Sequence, residues 1–84
     1  MSRTKFIAGN WKMNTTKADA IALAKGVAAG APKGLDLGVA PPFVYLDAVG
    51  QALAGSSVLL GAQDAYFAKN GAFTGEISVD MLKD

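Results

Sequence analysis

The chain has 84 residues, with eight Lys and Arg against seven Asp and Glu and a net charge of +1; it is at most one small domain and buries only about 60 to 65% of its unfolded surface. Near-neutral charge with scattered lysines excludes a basic stripe for nucleic acid and a basic amphipathic helix for a membrane surface. The absence of cysteine and histidine excludes disulfide and thiolate chemistry and removes the commonest acid–base group and metal ligand.

The chain opens with Met1-Ser2-Arg3-Thr4-Lys5, which no long apolar run follows, so no secretory signal is expected. No segment approaches the ~20 apolar residues of a membrane span, and a cytoplasmic protein is expected. A composition that is 51% hydrophobic suits a buried core and argues against disorder.

Lys5 to Ala8 reads as a short strand. It runs directly into Gly9-Asn10-Trp11-Lys12-Met13-Asn14, an amide and a lysine beyond an apolar strand. In parallel α/β proteins, ligands bind at the carboxyl ends of strands. A lysine there is held by a rigid element, and an anion is its natural guest. Asn14-Thr15-Thr16 offers candidate helix caps. Ala20, Leu23, Ala24 and Val27 follow the spacing of one helix face, and Gly30-Ala31-Pro32-Lys33-Gly34 ends that helix.

Leu35 to Ala40 reads as the second strand, stopped by Pro41-Pro42. Leu46, Val49, Gly50 and Leu53 repeat the helical spacing. Gly55-Ser56-Ser57 breaks the chain, and Val58 to Ala62 reads as a third strand. Near-continuous apolar strands separated by helices indicate a parallel sheet, in sequence order with right-handed crossovers. From Gln63 to Ile77 the pattern gives way to turn residues and aromatic side chains, a long loop of the kind that carries function. Ser78 is placed to cap a last helix. The chain stops inside that pattern, as a fragment cut there would.

Other features read as structure. Trp11 and Met13 are expected to pack. Asp19, Asp47, Asp64 and Asp80 are isolated, so no metal ligand set is expected. Gly9, Gly38 and Gly61 let backbone or ligand approach the strands closely, and no G-x-G-x-x-G fingerprint marks a dinucleotide site.

Together, Gly9-Asn10-Trp11-Lys12-Met13-Asn14, Ala40-Pro41-Pro42-Phe43 and Gly71-Ala72-Phe73-Thr74-Gly75-Glu76-Ile77-Ser78 closely resemble the N-terminal third of the triosephosphate isomerase family, across about Lys5 to Asp84. The resemblance implies an α/β chain, the β-α-β-α-β parallel unit of a (β/α)8 TIM barrel, with an open sheet in isolation and residues 1–84 as one fragment of the barrel domain. It implies an isomerase of glycolysis and gluconeogenesis that interconverts dihydroxyacetone phosphate and glyceraldehyde 3-phosphate, without a cofactor. Asn10 and Lys12 match its substrate-binding asparagine and lysine, and Lys12 is the catalytic candidate. Gln63, Asp64, Phe73, Thr74, Gly75 and Glu76 match the loop that enters the partner subunit of a dimer. Thr74 matches the residue that reaches toward the partner's site, and Glu76 matches an interface glutamate, not the base.

The family is itself the worked case of a glutamate base paired with a neutral histidine electrophile. This sequence has no histidine, and its only glutamate is Glu76. The chain alone is therefore expected to be inactive. The competing reading is a structural module that folds and self-associates without catalysis. A homo-oligomer is expected on either reading, because three parallel strands leave two open edges and a bare face.

Overall fold

The computed structural model describes residues 3–84; Met1 and Ser2, which begin the segment expected not to be a secretory signal, lie outside the described residues. Strand β1 spans Lys5–Asn10, helix α1 Lys17–Gly30, strand β2 Leu35–Ala40, helix α2 Leu46–Ala52, strand β3 Leu59–Leu60 and helix α3 Val79–Lys83. A 3-10 turn at Phe43–Tyr45 leads into α2.

Local chemistry sets these limits. Of the three cap candidates before α1, Thr16 acts: its hydroxyl accepts the Asp19 N–H at 3.2 Å, satisfying one of the first-turn donors. Gly34 turns the chain into β2 with φ +87°, a conformation that costs glycine little. Pro41, fully buried, follows the last residue of β2 and cannot donate to a ladder. Ser78 caps α3 by accepting the Met81 N–H at 3.1 Å.

The strands form one parallel sheet in the order β1-β2-β3, as the alternation of apolar strands and helices predicts. β1 pairs with β2 from Lys5 opposite Leu35 to Asn10 opposite Ala40. It is longer than the expected Lys5 to Ala8, because its ladder with β2 continues through Gly9 and Asn10. β3 is shorter than the expected Val58 to Ala62. It pairs only Leu59 and Leu60 with β2, having a neighbour on one side alone, although the Gly61 N–H still donates to the Val39 carbonyl at 2.8 Å.

Side chains alternate between the two faces of each strand. Leu37, Val39 and Leu60 lie on the face toward the helices. The buried core there comprises Ala20 and Ala24 of α1, Val39, Val49 and Leu53 of the α2 segment, and Val58, with Trp11, Val27, Ala28 and Leu37 packed around it. Each larger member contributes about 1.5 to 3 kcal/mol when fully buried. Leu23 is not among them. It is 45% exposed, because α1 presents a narrow stripe of Ala20, Ala24, Val27 and Ala28 to its neighbours. Met13, expected to pack, is 95% exposed: its loop carries it beyond the end of the sheet, away from the core that holds Trp11.

Phe6, Ala8, Gly38 and Leu59 share the opposite face, where no helix of the described residues lies. Phe6 is 60% and Leu59 52% exposed. Cover on this face is local: an added Cβ at Gly38 would stand 3.3 Å from the Phe6 ring.

Candidate functional site

The carboxyl ends of the three strands meet in a small set of hydrogen bonds. The Trp11 N–H donates to the Ala40 carbonyl at 3.1 Å and extends the β1–β2 ladder by one residue. The chain then turns sharply. The Asn10 carboxamide oxygen accepts the Lys12 N–H at 2.9 Å, a side-chain mimic of a backbone turn. Lys12 has φ +57° and Thr15 φ +83°, both in the left-handed region that side chains with a Cβ seldom occupy. The Asn14 carboxamide donates to the Trp11 carbonyl at 2.7 Å and closes the turn.

Gln63, three residues beyond the end of β3, completes the set. Its Nε2 donates to the Lys12 carbonyl at 3.0 Å and to the Ala40 carbonyl at 2.8 Å. One carboxamide thus joins the segments that follow β1, β2 and β3. The structure brings Asn10, Lys12 and Gln63 together, with Lys12 exposed. A primary ammonium carries three donors and no acceptor, and the bond to Lys12 leaves the Asn10 NH2 group as a further donor. An exposed cation and a neutral donor therefore stand at the end of the parallel sheet, and both are groups able to donate to an oxyanion.

The remaining loop residues form a second cluster. The Glu76 N–H donates to the Phe73 carbonyl at 3.0 Å, closing a turn with Thr74 exposed at its tip and Gly75 at φ +88°. Glycine at that position is what a type II turn requires. Asp64 accepts the Ala65 N–H at 2.9 Å and is exposed. Tyr66 stacks on both Phe67 and Phe73 with ring centroids 4.7 Å apart, while Phe67 remains 87% exposed. Among the described residues, no group of three or more Asp and Glu side chains is placed to hold a metal ion, and no helix is long and apolar enough to cross a membrane.

Gln63 reads from sequence as an outer-loop residue, and its bonds to the strand ends emerge only in the fold. Its strand-end position had a signal, since Gln63 follows a strand at its carboxyl end just as Lys12 does.

A family model described as triosephosphate isomerase matches residues 5–84. The triosephosphate isomerase of Rhodopirellula baltica is 48% identical over 86 residues, covering 100% of this chain and 34% of the relative. That of Chlorobium luteolum is 48% identical over 84 residues, covering 96% and 34%. That of Treponema pallidum is 52% identical over 85 residues, covering 98% and 33%. The chain therefore spans about a third of the length of the curated relatives it matches.

Proposed function

Since the chain belongs to the triosephosphate isomerase family, we propose that it supplies the substrate-holding portion of an isomerase site, with Asn10 and Lys12 binding the triose phosphate. The observation that carries this reading is the hydrogen-bonded loop that fixes both residues at the carboxyl end of a parallel sheet.

In the complete enzyme, dihydroxyacetone phosphate and glyceraldehyde 3-phosphate interconvert through an enediol. Removing the carbon-bound proton develops negative charge on the substrate oxygen. A fixed ammonium at Lys12 stabilises that charge and the phosphate. The Asn10 NH2 group donates to the same anion. The base that takes the proton and the electrophile that polarises the carbonyl come from outside these 84 residues, because the chain has no histidine and its lone glutamate, Glu76, lies in the outer loop. On its own the chain binds anions weakly and does not catalyse. It needs no cofactor for this role, and the parent enzyme acts in the cytoplasm, with neither nucleic acid nor membrane as partner.

Self-association belongs to the same reading. The bare face with Phe6 and Leu59, the unpaired edges of β1 and β3, and exposed Phe67 each cost free energy in a monomer. A second copy relieves them. Gln63, Asp64, Phe73, Thr74, Gly75 and Glu76 belong to the interface loop of the whole enzyme, with Thr74 at its tip.

Titration with inorganic phosphate followed by NMR tests the site. One contact in water is worth about 1 kcal/mol, so millimolar or weaker binding is expected, and Lys12→Ala should abolish it. A phosphate response centred elsewhere, or unchanged in Lys12→Ala, refutes the assignment.

A further inference from the structure

We propose that the turn from Lys12 to Thr15 is a sprung loop. Strain held at Thr15 makes it open locally, ahead of the sheet and of α1, and only the closed loop presents Lys12 to an anion. The claim about the anion rests on the reading of Lys12 as the anion-holding group; the claim about the loop stands on Thr15 alone.

Among the described residues, Lys12 and Thr15 are the two residues other than glycine with positive φ. Thr15, at φ +83°, is the more strained, because a β-branched side chain is an outlier in that region. It carries a second cost. Its hydroxyl oxygen is buried without a hydrogen-bond partner, the one such side-chain atom among the described residues. A hydroxyl in that position has lost its bonds to water and gained none to the protein. Both costs fall on one residue, in the turn that carries Lys12.

Thr15 does not relax in place, because the chain is held on both sides of it. Before it, the Trp11 N–H donates to the Ala40 carbonyl, and the Asn14 side chain closes the turn back onto Trp11. After it, Thr16 caps α1 and its carbonyl accepts the Ala20 N–H at 2.9 Å, with Ala20 fully buried. A strained conformation persists where its surroundings over-determine it. The weakest of these restraints lie in the loop itself. The bonds from Lys12 to Asn10, from Asn14 to Trp11 and from Gln63 to Lys12 are all exposed, and water competes for each of them. Releasing them lets Thr15 return to negative φ and brings its hydroxyl to water, while the β1–β2 ladder and the buried side of α1 stay in place. Local opening of this kind occurs at the least protected segment of a fold. Lys12 moves with the loop, so an anion that needs Lys12 at the strand end binds the closed form.

The test is hydrogen exchange by NMR, with saturation transfer for the fast protons, on the 84-residue chain and its Thr15→Gly and Thr15→Val variants. The Lys12 amide and the Asn14 carboxamide report on the loop. The amide of buried Leu53, bonded to the Val49 carbonyl at 2.9 Å, reports on the whole fold. In the unmutated chain the loop protons should be less protected than Leu53 and indifferent to low urea, because local opening exposes little surface, whereas Leu53 exchange should accelerate. Glycine takes positive φ at little cost and has no hydroxyl, which outweighs its greater freedom in the open loop. Loop protection in Thr15→Gly should therefore rise about 5- to 30-fold, the population equivalent of one left-handed residue. Valine removes the hydroxyl but keeps the branched Cβ on the strained backbone, and should give a smaller rise. Loop protons with the urea dependence of Leu53, no rise in Thr15→Gly, or a rise in Thr15→Val that matches glycine overturns the proposal. A glycine variant that fails to fold overturns it as well, since relief of strain cannot destabilise.

Inorganic phosphate separates the two claims. At about ten times its dissociation constant it should slow Lys12 amide exchange in the unmutated chain about tenfold, because it binds the closed loop alone. A phosphate-induced shift of the Lys12 Nζ resonance without that slowing overturns the coupling of loop to anion. Absence of any Nζ shift defeats the reading of Lys12 instead, and the glycine and valine variants then judge the loop by themselves.

Discussion

The Tyr66 N–H donates to the Ile77 carbonyl at 2.7 Å, and Tyr66 forms a parallel bridge with Ser78. This contact closes the long third loop at its root. The residues between are held as a self-contained unit by the stacked rings of Tyr66, Phe67 and Phe73 and by the turn at Phe73 to Glu76. A loop organised in this way can project from the sheet without depending on the strand ends.

Gly71→Ala should loosen that unit. Gly71 has φ +134°, and an added Cβ would meet the Phe73 ring at 2.8 Å. The combined strain is expected to cost about 1 to 3 kcal/mol. Hydrogen exchange should show faster exchange of the Tyr66 amide, while amides of β2 such as Leu37 are unaffected. Unaltered protection at Tyr66 would show that the loop root does not depend on this packing.

Gly26→Ala should act in the opposite direction. Gly26 lies within α1, and nothing stands within 4 Å of the Cβ it would gain. Glycine inside a helix costs about 0.5 to 1 kcal/mol relative to alanine. The urea midpoint should rise accordingly, with an unchanged slope. A lower midpoint would mean that α1 is packed differently around residue 26.

Thr16→Ala removes the hydroxyl that accepts the Asp19 N–H. A lost cap costs about 1 kcal/mol, a large loss for so small a core. Thr16→Ser keeps the acceptor and should restore most of the stability. Equal destabilisation by both substitutions would assign the effect to the threonine methyl group instead.

Much of this architecture was legible because it is locally encoded. The limits of β2, Leu35 to Ala40, follow from glycine before and prolines after an apolar run. Thr16 and Ser78 announce their helices by cap chemistry. Where neighbours decide, the sequence is less informative. Leu23 fits the helical spacing, yet it stands outside the alanine stripe that α1 uses. Met13 is apolar, but its turn leaves it beyond the sheet. The strand-end placement of Asn10 and Lys12 follows from the apolar run before them. The bond between Gln63 and Lys12 has no such local sign, because the parallel topology creates it between residues 51 apart.

Self-association should be measurable by analytical ultracentrifugation at micromolar concentration. The exposed face with Phe6 and Leu59, and a groove of about 670 Å³ between α2, β3 and α3 lined by Phe43, Leu60 and Met81, leave apolar surface for a second copy to cover. A closed dimer or tetramer is expected, and Phe6→Lys should shift it toward monomer by placing a charge on the contact. A sharply monomeric, well-folded species would refute the expectation.

The most direct test of the proposed role is an isomerase assay of this chain alone and mixed with the remaining C-terminal portion of a relative such as that of Rhodopirellula baltica. Only background turnover of glyceraldehyde 3-phosphate is expected from the chain alone. Activity is expected in the mixture, falling by about 10²-fold or more with Lys12→Ala, the scale on which a fixed electrostatic group acts. Turnover well above background by the purified chain, with host enzyme excluded, or a reassembled mixture indifferent to Lys12→Ala, would contradict that role.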